Sequence, residues 1–167
     1  AQRPDGMIPS IAPCYVIFAG PGMDPFAESP EWASTLVLFP FMYYATYGDD
    51  SLIREYYPYM RRYVDYLTSR AKNHIVDFGL GDWYDYDGIH RAGFSRNTSI
   101  AIVATAHYYM DICKLAEAAA IVGNKYDAEY YQALSEDVKE AFNNRFLHKE
   151  TNQYDTGSQC ANALALY

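Results

Sequence analysis

The sequence predicts an all-α fold of antiparallel helical hairpins that form part of an α/α barrel, a toroid of inner and outer helices. Helices that are apolar on every side alternate with helices that have one apolar and one charged face, as expected for inner and outer positions. The turns after the apolar helices are short and the connections after the amphipathic helices are long, so the long loops lie on one face. On this pattern alone, a helical bundle or a solenoid is the structural alternative.

The first predicted helix covers residues 30–47. Apolar residues lie on every side of it, so we expect it to be buried all round. Ser29 is the predicted N-cap, a proline follows at the first helical position, and Gly48 ends the helix. Pro40 lies inside the helix and predicts a kink, because proline lacks the N–H of an internal helical residue.

The second predicted helix, residues 51–71, is amphipathic and completes the first hairpin. Large apolar side chains recur at helical spacing on one face, whereas arginines and Asp65 lie on the other face. Pro58 is a candidate break that would leave a short helix followed by a longer one.

The second hairpin repeats this pattern. Asn97 or Thr98 is expected to cap a mostly apolar helix that runs to Val122 and ends at a glycine. An amphipathic helix is predicted over residues 127–146, and a fifth helix is expected to begin near Ser158. Residues 1–167 are interpreted as a single segment of one domain, with both ends cut from a longer chain.

Composition argues against several partners. The net charge of −8 disfavours nucleic acid, because phosphate binding needs clustered lysine and arginine. No apolar run reaches the roughly 18 residues of a membrane span. Cys14, Cys113 and Cys160 are widely spaced with no CxxC pair, and we expect them to be buried free thiols. We therefore predict no metal and no cofactor.

The loop at residues 77–88, DFGLGDWYDYDG, carries the residue types of a sugar site. Aromatic rings stack on apolar faces of pyranoses, while carboxylates accept hydrogen bonds from hydroxyls and can act in pairs in acid–base hydrolysis. The candidate residues are Asp82, Trp83, Asp85 and Asp87. A solvated acidic loop with aromatic anchors is one alternative, and a loose calcium site is another. An EF-hand does not fit, because Trp83 would occupy its first ligand position.

Other acidic and histidine residues have simpler interpretations. Glu28 and Glu31 flank a helix start, where negative charge suits the helix dipole. Asp24 and Glu28 could instead reach the mouth of the barrel. His107 lies in the middle of an apolar helix and is predicted to be a hydrogen-bonded core residue.

Several segments, taken in order, resemble a known family. They are PDGMIPSIAP, SPEW, GLGDWYDYDG and GSQCANALALY, and the most specific pieces are GDW at residues 81–83 and GSQ.ANALAL at residues 157–166. Together they resemble the central catalytic domain of bacterial α-L-rhamnosidases, glycoside hydrolase family 78. The resemblance covers nearly the whole chain.

The resemblance implies an (α/α)6 barrel and the hydrolysis of terminal α-L-rhamnose with inversion, so the implied partner is a rhamnose-containing glycan or glycoside. In this family the general acid is a glutamate in an upstream D-E-R-x-G-W-x-G-D-like motif, and the proposed base lies in a downstream W-E-like motif. Neither motif occurs here. No catalytic residue is therefore expected in these 167 residues, and the remaining parts of the parent chain would supply both.

The resemblance also implies candidate sugar contacts. Asp82 and Trp83 match family positions that line the rhamnose pocket, and Trp32 matches a tryptophan near it. Ser34 stands where family members often carry aspartate, a departure that bears on sugar specificity. Two other functions stay open on the sequence, a non-catalytic carbohydrate-binding helical domain and a structural helical-repeat or interaction module.

Overall fold

The computed structural model describes residues 2–86, 88–90 and 93–167 and is mostly helical. In chain order the elements are α1 (Asp24–Ala27), α2 (Pro30–Ala33), α3 (Thr35–Tyr47), α4 (Ser51–Arg70), α5 (Ile100–Val122), α6 (Lys125–Phe146), β1 (Leu147–His148), β2 (Gln153–Tyr154) and α7 (Gln159–Leu166). The helices α3 and α4 form one hairpin, and α5 and α6 form the next. The two hairpins meet at α5, which packs against both α3 and α4. The prediction of paired antiparallel helices is confirmed.

The predicted helix over residues 30–47 is two helices. The break falls at Ser34, whose hydroxyl donates to the carbonyl oxygen of Pro30 and lies 2.7 Å from the carboxylate of Asp111 on α5. α3 then continues through Pro40. Ser29 precedes α2 as predicted, but its side chain makes no capping hydrogen bond and donates to Glu31 instead.

The prediction that this first helical segment is buried all round is wrong for α3. Only Val37 and Pro40 of α3 are buried. The large apolar residues Phe39, Met42, Tyr44 and Tyr47 are exposed. The physical reason is that α3 packs against α2, α4 and α5, and no further described helix covers its remaining side. By contrast, α5 contacts α2, α3, α4, α6 and α7 and is buried along most of its length.

The helix α4 is continuous through Pro58, so the predicted break there is wrong. Its apolar face is fully buried against the core at Ile53, Met60 and Val64. Packing of this face offsets the loss of the one backbone hydrogen bond that proline removes, because tertiary packing supplies most helical stability in proteins.

The start of α5 differs from prediction because the expected capping side chains are engaged elsewhere. Asn97 Nδ2 donates to Asp85, and Thr98 shares a hydrogen bond with Ser158. Ser99 is the N-cap, and its hydroxyl accepts from the backbone N–H of Ile102. The predicted end at Val122 is confirmed.

The helices α6 and α7 both begin at a side-chain N-cap. Asn124 accepts a hydrogen bond from the N–H of Asp127, so α6 begins at Lys125, ahead of the predicted start at residue 127. Ser158 accepts from the N–H of Ala161, which confirms the helix expected to begin near Ser158. Between these helices, β1 and β2 form a short antiparallel hairpin.

The three cysteines are free, but the prediction that all are buried is wrong. Cys14 is exposed, because it lies in the N-terminal connection away from the helical core, and Cys113 and Cys160 are half-buried. In the parts of the chain that the structure describes, no cluster of three histidine, cysteine or acidic side chains is placed to hold a metal ion. None of the described helices is both long and apolar enough to cross a bilayer.

Candidate functional site

A pocket of about 890 Å³ lies where the loop after α4 meets the start of α7. Asp82 and Asp85 line it from the loop, and Ser158, Gln159 and Cys160 line it from α7 and its cap. A hydrogen bond of 2.7 Å between the hydroxyls of Thr98 and Ser158 joins the two sides. Folding therefore brings together the GDW and GSQ segments, which are far apart in the sequence.

The Asp82 carboxylate lines this pocket, and its described neighbours there are Thr98 and Cys160. Its Oδ2 accepts a hydrogen bond from Thr98 Oγ1 at a long 3.4 Å. The Cys160 thiol lies beside it, and burial, reinforced by the Asp82 carboxylate, raises the pKa of Cys160 to about 11. The thiol is therefore neutral near pH 7 and poorly suited to act as a nucleophile. A carboxylate in this setting can accept further hydrogen bonds from ligand hydroxyls.

Asp85 holds the loop together. Its Oδ2 accepts from the backbone N–H groups of Arg96 and Asn97 at 2.5 and 2.7 Å, and its Oδ1 accepts from Asn97 Nδ2 at 2.7 Å. These backbone hydrogen bonds lower the pKa of Asp85, because they stabilise its ionised form. The geometry of Asp85 is therefore that of a residue that keeps the loop in its conformation by accepting backbone hydrogen bonds. Asp87, the other acid proposed for this loop, lies outside the described residues.

Trp83 lies in a cluster of aromatic rings. Its ring is edge-on to Phe26 at 5.2 Å, to Tyr84 at 5.1 Å and to Phe94 at 5.9 Å between centroids. Phe26 belongs to α1, so the cluster ties the N-terminal connection to the Asp82 loop. Edge-to-face ring pairs of this kind add stability beyond the area they bury.

Trp32 lines a second pocket, of about 500 Å³, together with Tyr56, Tyr59 and Arg62 of α4. The structure therefore does not bring the three predicted sugar contacts into one cavity. Asp82 lines the first pocket, Trp83 lies in the ring cluster, and Trp32 lines the second pocket. Ser34 is buried and lines neither pocket, since its hydroxyl is directed to Asp111.

Of the two glutamates interpreted from the sequence as suiting the helix dipole, Glu31 holds the loop in place, whereas Glu28 is bound to α4. Glu31 Oε1 accepts from the backbone N–H groups of Leu80 and Gly81 at 2.8 and 2.7 Å. Glu28 accepts from the hydroxyl of Tyr66 and lies 3.3 Å from Arg70 Nη1, away from the first pocket. The available sequence signal was an acid on each side of Pro30, but nothing in it identified the distant partners.

Two further residues complete the account of the candidates. Asp24 lies in the first turn of α1 and is exposed. His107 is half-buried in α5, and its Nδ1 lies 2.9 Å from the carbonyl oxygen of Val103. This contact agrees with the interpretation of His107 as a hydrogen-bonded core histidine.

The chain matches known proteins over its full length. Residues 1–167 match the family model described as the bacterial alpha-L-rhamnosidase 6 hairpin glycosidase domain. An alpha-L-rhamnosidase of Formosa agariphila is 30% identical over 120 residues, which are 70% of this chain and 12% of that protein. An alpha-L-rhamnosidase of Alteromonas sp. (strain LOR) is 25% identical over 154 residues, or 90% of this chain and 16% of that protein.

Two solved structures share the fold. The alpha-L-rhamnosidase from Dictyoglumus thermophilum superposes with a TM-score of 0.83 at 28% identity, over 100% of this chain and 18% of that one. The Streptomyces avermitilis alpha-L-rhamnosidase complexed with L-rhamnose has a TM-score of 0.81 at 22% identity, over 99% and 14%. The chain thus spans less than a fifth of each relative. The predicted (α/α)6-barrel fold is confirmed.

Proposed function

The chain belongs to the family of bacterial alpha-L-rhamnosidase six-hairpin glycosidase domains, and on this premise we propose that it helps to remove terminal α-L-rhamnose from glycans or glycosides. The observation that carries the proposal is the position of Asp82. It lines a large pocket formed by the GDW and GSQ segments, where its carboxylate accepts a long hydrogen bond of 3.4 Å from Thr98. A relative with the same fold was solved with L-rhamnose.

The proposed chemistry is hydrolysis with inversion. Inverting glycosidases use an acid and a base carboxylate about 6.5–9.5 Å apart, which leaves room for the attacking water. We assign both to other parts of the parent chain, because neither family motif occurs in these residues. Asp85 is unsuited to donate a proton, since its hydrogen-bond donors favour the ionised form and lower its pKa.

The residues of this chain are assigned to binding the sugar. Asp82 would accept hydrogen bonds from sugar hydroxyls, as a carboxylate at the edge of a polar pocket can. Trp83 would present its ring to an apolar face of the sugar, such as the one that carries the methyl group of rhamnose. Trp32 is a further candidate contact, since it lines the second pocket together with two tyrosines of α4.

The test is Asp82→Asn in the complete protein, with kcat/KM measured on an aryl α-L-rhamnoside. A hydrogen bond to a charged group contributes about 1.5–3 kcal/mol. We therefore expect a loss of about 10- to 150-fold. The matched control is Asp77→Asn, an exposed aspartate of the same loop, and it is expected to have little effect.

The outcomes separate the candidate functions. Equal and negligible effects from the two substitutions would reduce the loop to an acidic surface segment. Binding of L-rhamnose by the complete protein without turnover of any rhamnoside would favour the non-catalytic carbohydrate-binding alternative.

A further inference from the structure

The loop that carries Asp82 is held from the opposite side by the start of α2. Ser29 Oγ accepts from the N–H of Leu80 at 2.7 Å and donates to Glu31 Oε1 at 2.6 Å. The same Glu31 oxygen accepts from the N–H groups of Leu80 and Gly81. Three donors thus converge on one carboxylate oxygen, and the two backbone donors immediately precede Asp82.

The fit between the loop and α2 is close. Gly79 has a φ of +121°, and a Cβ atom there would lie 2.9 Å from Glu31 Oε2 and 2.9 Å from Pro30 Cδ. Only glycine allows the backbone to approach the carboxylate so closely in this conformation. Glu31 Oε2 is itself buried, and no described residue gives it a hydrogen-bond partner. Among the described residues, the carboxylate therefore accepts its hydrogen bonds through Oε1, and two of these bonds come from the loop.

Glu31 also connects two segments with separate assigned roles. It is adjacent in the chain to Trp32, and it is hydrogen-bonded to the residue just before Asp82. Among the described hydroxyl groups, Thr98 donates to the Asp82 carboxylate, over a long 3.4 Å. The Glu31 carboxylate therefore links the segment that carries Asp82 to the segment that carries Trp32.

We propose that Glu31 is a positioning residue, which fixes the Asp82–Trp83 backbone against α2 so that the proposed sugar contacts keep their relative geometry. This inference rests on the proposed function for its catalytic consequence, but not for the hydrogen bonds themselves. The required property of Glu31 is an acceptor oxygen at the reach of a glutamate side chain. Its charge alone is not sufficient.

The test uses Glu31→Ala, Glu31→Gln and Glu31→Asp in the complete protein, with Glu55→Gln on the exposed face of α4 as the matched control. The first measurement is amide hydrogen exchange in peptides that contain Leu80 and Gly81. We expect faster exchange in the alanine and aspartate variants, because the alanine lacks the acceptor and the shorter side chain withdraws it. The glutamine variant keeps an acceptor oxygen and is expected to retain most of the protection.

The second measurement is kcat and KM on an aryl α-L-rhamnoside. Because a misplacement of about 1 Å can cost about 100-fold in rate, we expect Glu31→Ala to lower kcat/KM by about 10- to 100-fold. Glu31→Asp should resemble it, and Glu31→Gln should stay much closer to the wild type. Thermal unfolding of the same samples identifies any variant that has lost its fold. If the alanine variant is unfolded, the comparison of Gln with Asp still decides between reach and charge.

Two results would overturn the inference. The first is exchange and kinetics in Glu31→Ala that match the Glu55→Gln control. The second is a glutamine variant as inactive as alanine with undisturbed exchange at Leu80 and Gly81, which would assign the carboxylate a direct chemical role. If the wild-type protein neither binds L-rhamnose nor cleaves rhamnosides, the proposed function fails, while the exchange measurement still decides whether Glu31 holds the loop.

Discussion

Gly81 and Gly48 have nearly the same backbone angle but different surroundings. Their φ values are +70° and +71°. Gly48 ends α3, and a Cβ atom there would meet no other atom within 4 Å. At Gly81 a Cβ atom would lie 2.8 Å from the Cβ of Ser95 and 3.2 Å from Ile100 Cγ1. Gly81 is thus required both for its conformation and for the close approach of the loop to α5.

We predict that Gly81→Ala destabilises the protein more than Gly48→Ala. Both substitutions place a side chain in the left-handed region, at a cost of about 1–2 kcal/mol. Gly81→Ala adds overpacking, which costs about 1–3 kcal/mol more. Urea unfolding of the two variants measures the difference. Equal losses would show that the loop can move away from Ser95 without penalty.

At the scale of elements, the outer helices α4 and α6 are joined by polar side chains. Tyr57, Arg61 and Asp65 lie one turn apart on α4. The hydroxyl of Tyr57 donates to Asp127 on α6 at 2.5 Å, and the hydroxyl of Tyr131 donates to Asp65 at 2.6 Å. Arg61 Nε lies 3.5 Å from the buried carboxylate of Asp127. Burial and the bond to Asp127 raise the pKa of Tyr57, so its hydroxyl stays protonated as the donor.

We predict that Tyr57→Phe destabilises the protein by about 1.5–3 kcal/mol, because it removes a hydrogen bond to a buried charged group. The matched control is Tyr126→Phe on α6, where the side chain is 76% exposed. The midpoint of chemical denaturation of each variant, compared with the wild type, measures the effect. A Tyr57→Phe midpoint indistinguishable from that of Tyr126→Phe would mean that water replaces the bond at no cost.

At the scale of the whole molecule, the chain leaves one side of an apolar helix exposed. Phe39, Met42 and Tyr47 of α3 are 53%, 65% and 70% exposed. The family model describes six hairpins, whereas the described residues form the α3–α4 and α5–α6 hairpins and α7. Contiguous apolar surface of this kind usually marks an interaction site. We infer that α3 is suited to packing against another hairpin of the same barrel.

We predict that the 167-residue chain, produced alone, self-associates or binds dyes that report apolar surface. Phe39→Ser combined with Met42→Gln should reduce this association, whereas Tyr126→Ser on the exposed face of α6 should not. Size-exclusion chromatography over a range of concentrations measures this association.

The same preparation is expected not to cleave aryl α-L-rhamnosides. A monomeric chain without dye binding, or turnover abolished by Asp82→Asn, would contradict this prediction.

The sequence by itself determined the all-α character of the fold and the order of its main helices, but not α1, the break between α2 and α3, or the β1–β2 hairpin. Apolar periodicity and the residues that start and end helices are local features of a few residues, so a single sequence reveals them. The helix ends at Gly48 and Gly123 and the start of a helix near Ser158 were accessible in this way. The candidate loop was also accessible, because its dense aromatic and acidic residues are a local property.

Only the tertiary structure decided the features that depend on distant partners. At the break between α2 and α3, Ser34 donates to Asp111, which is 77 residues away. The cap at Ser99 follows from the engagement of Asn97 and Thr98 with other loops. The hold of Glu31 on the loop before Asp82 joins residues about fifty positions apart. No local pattern encodes these contacts, because a side chain's hydrogen-bond partner is selected by packing in three dimensions.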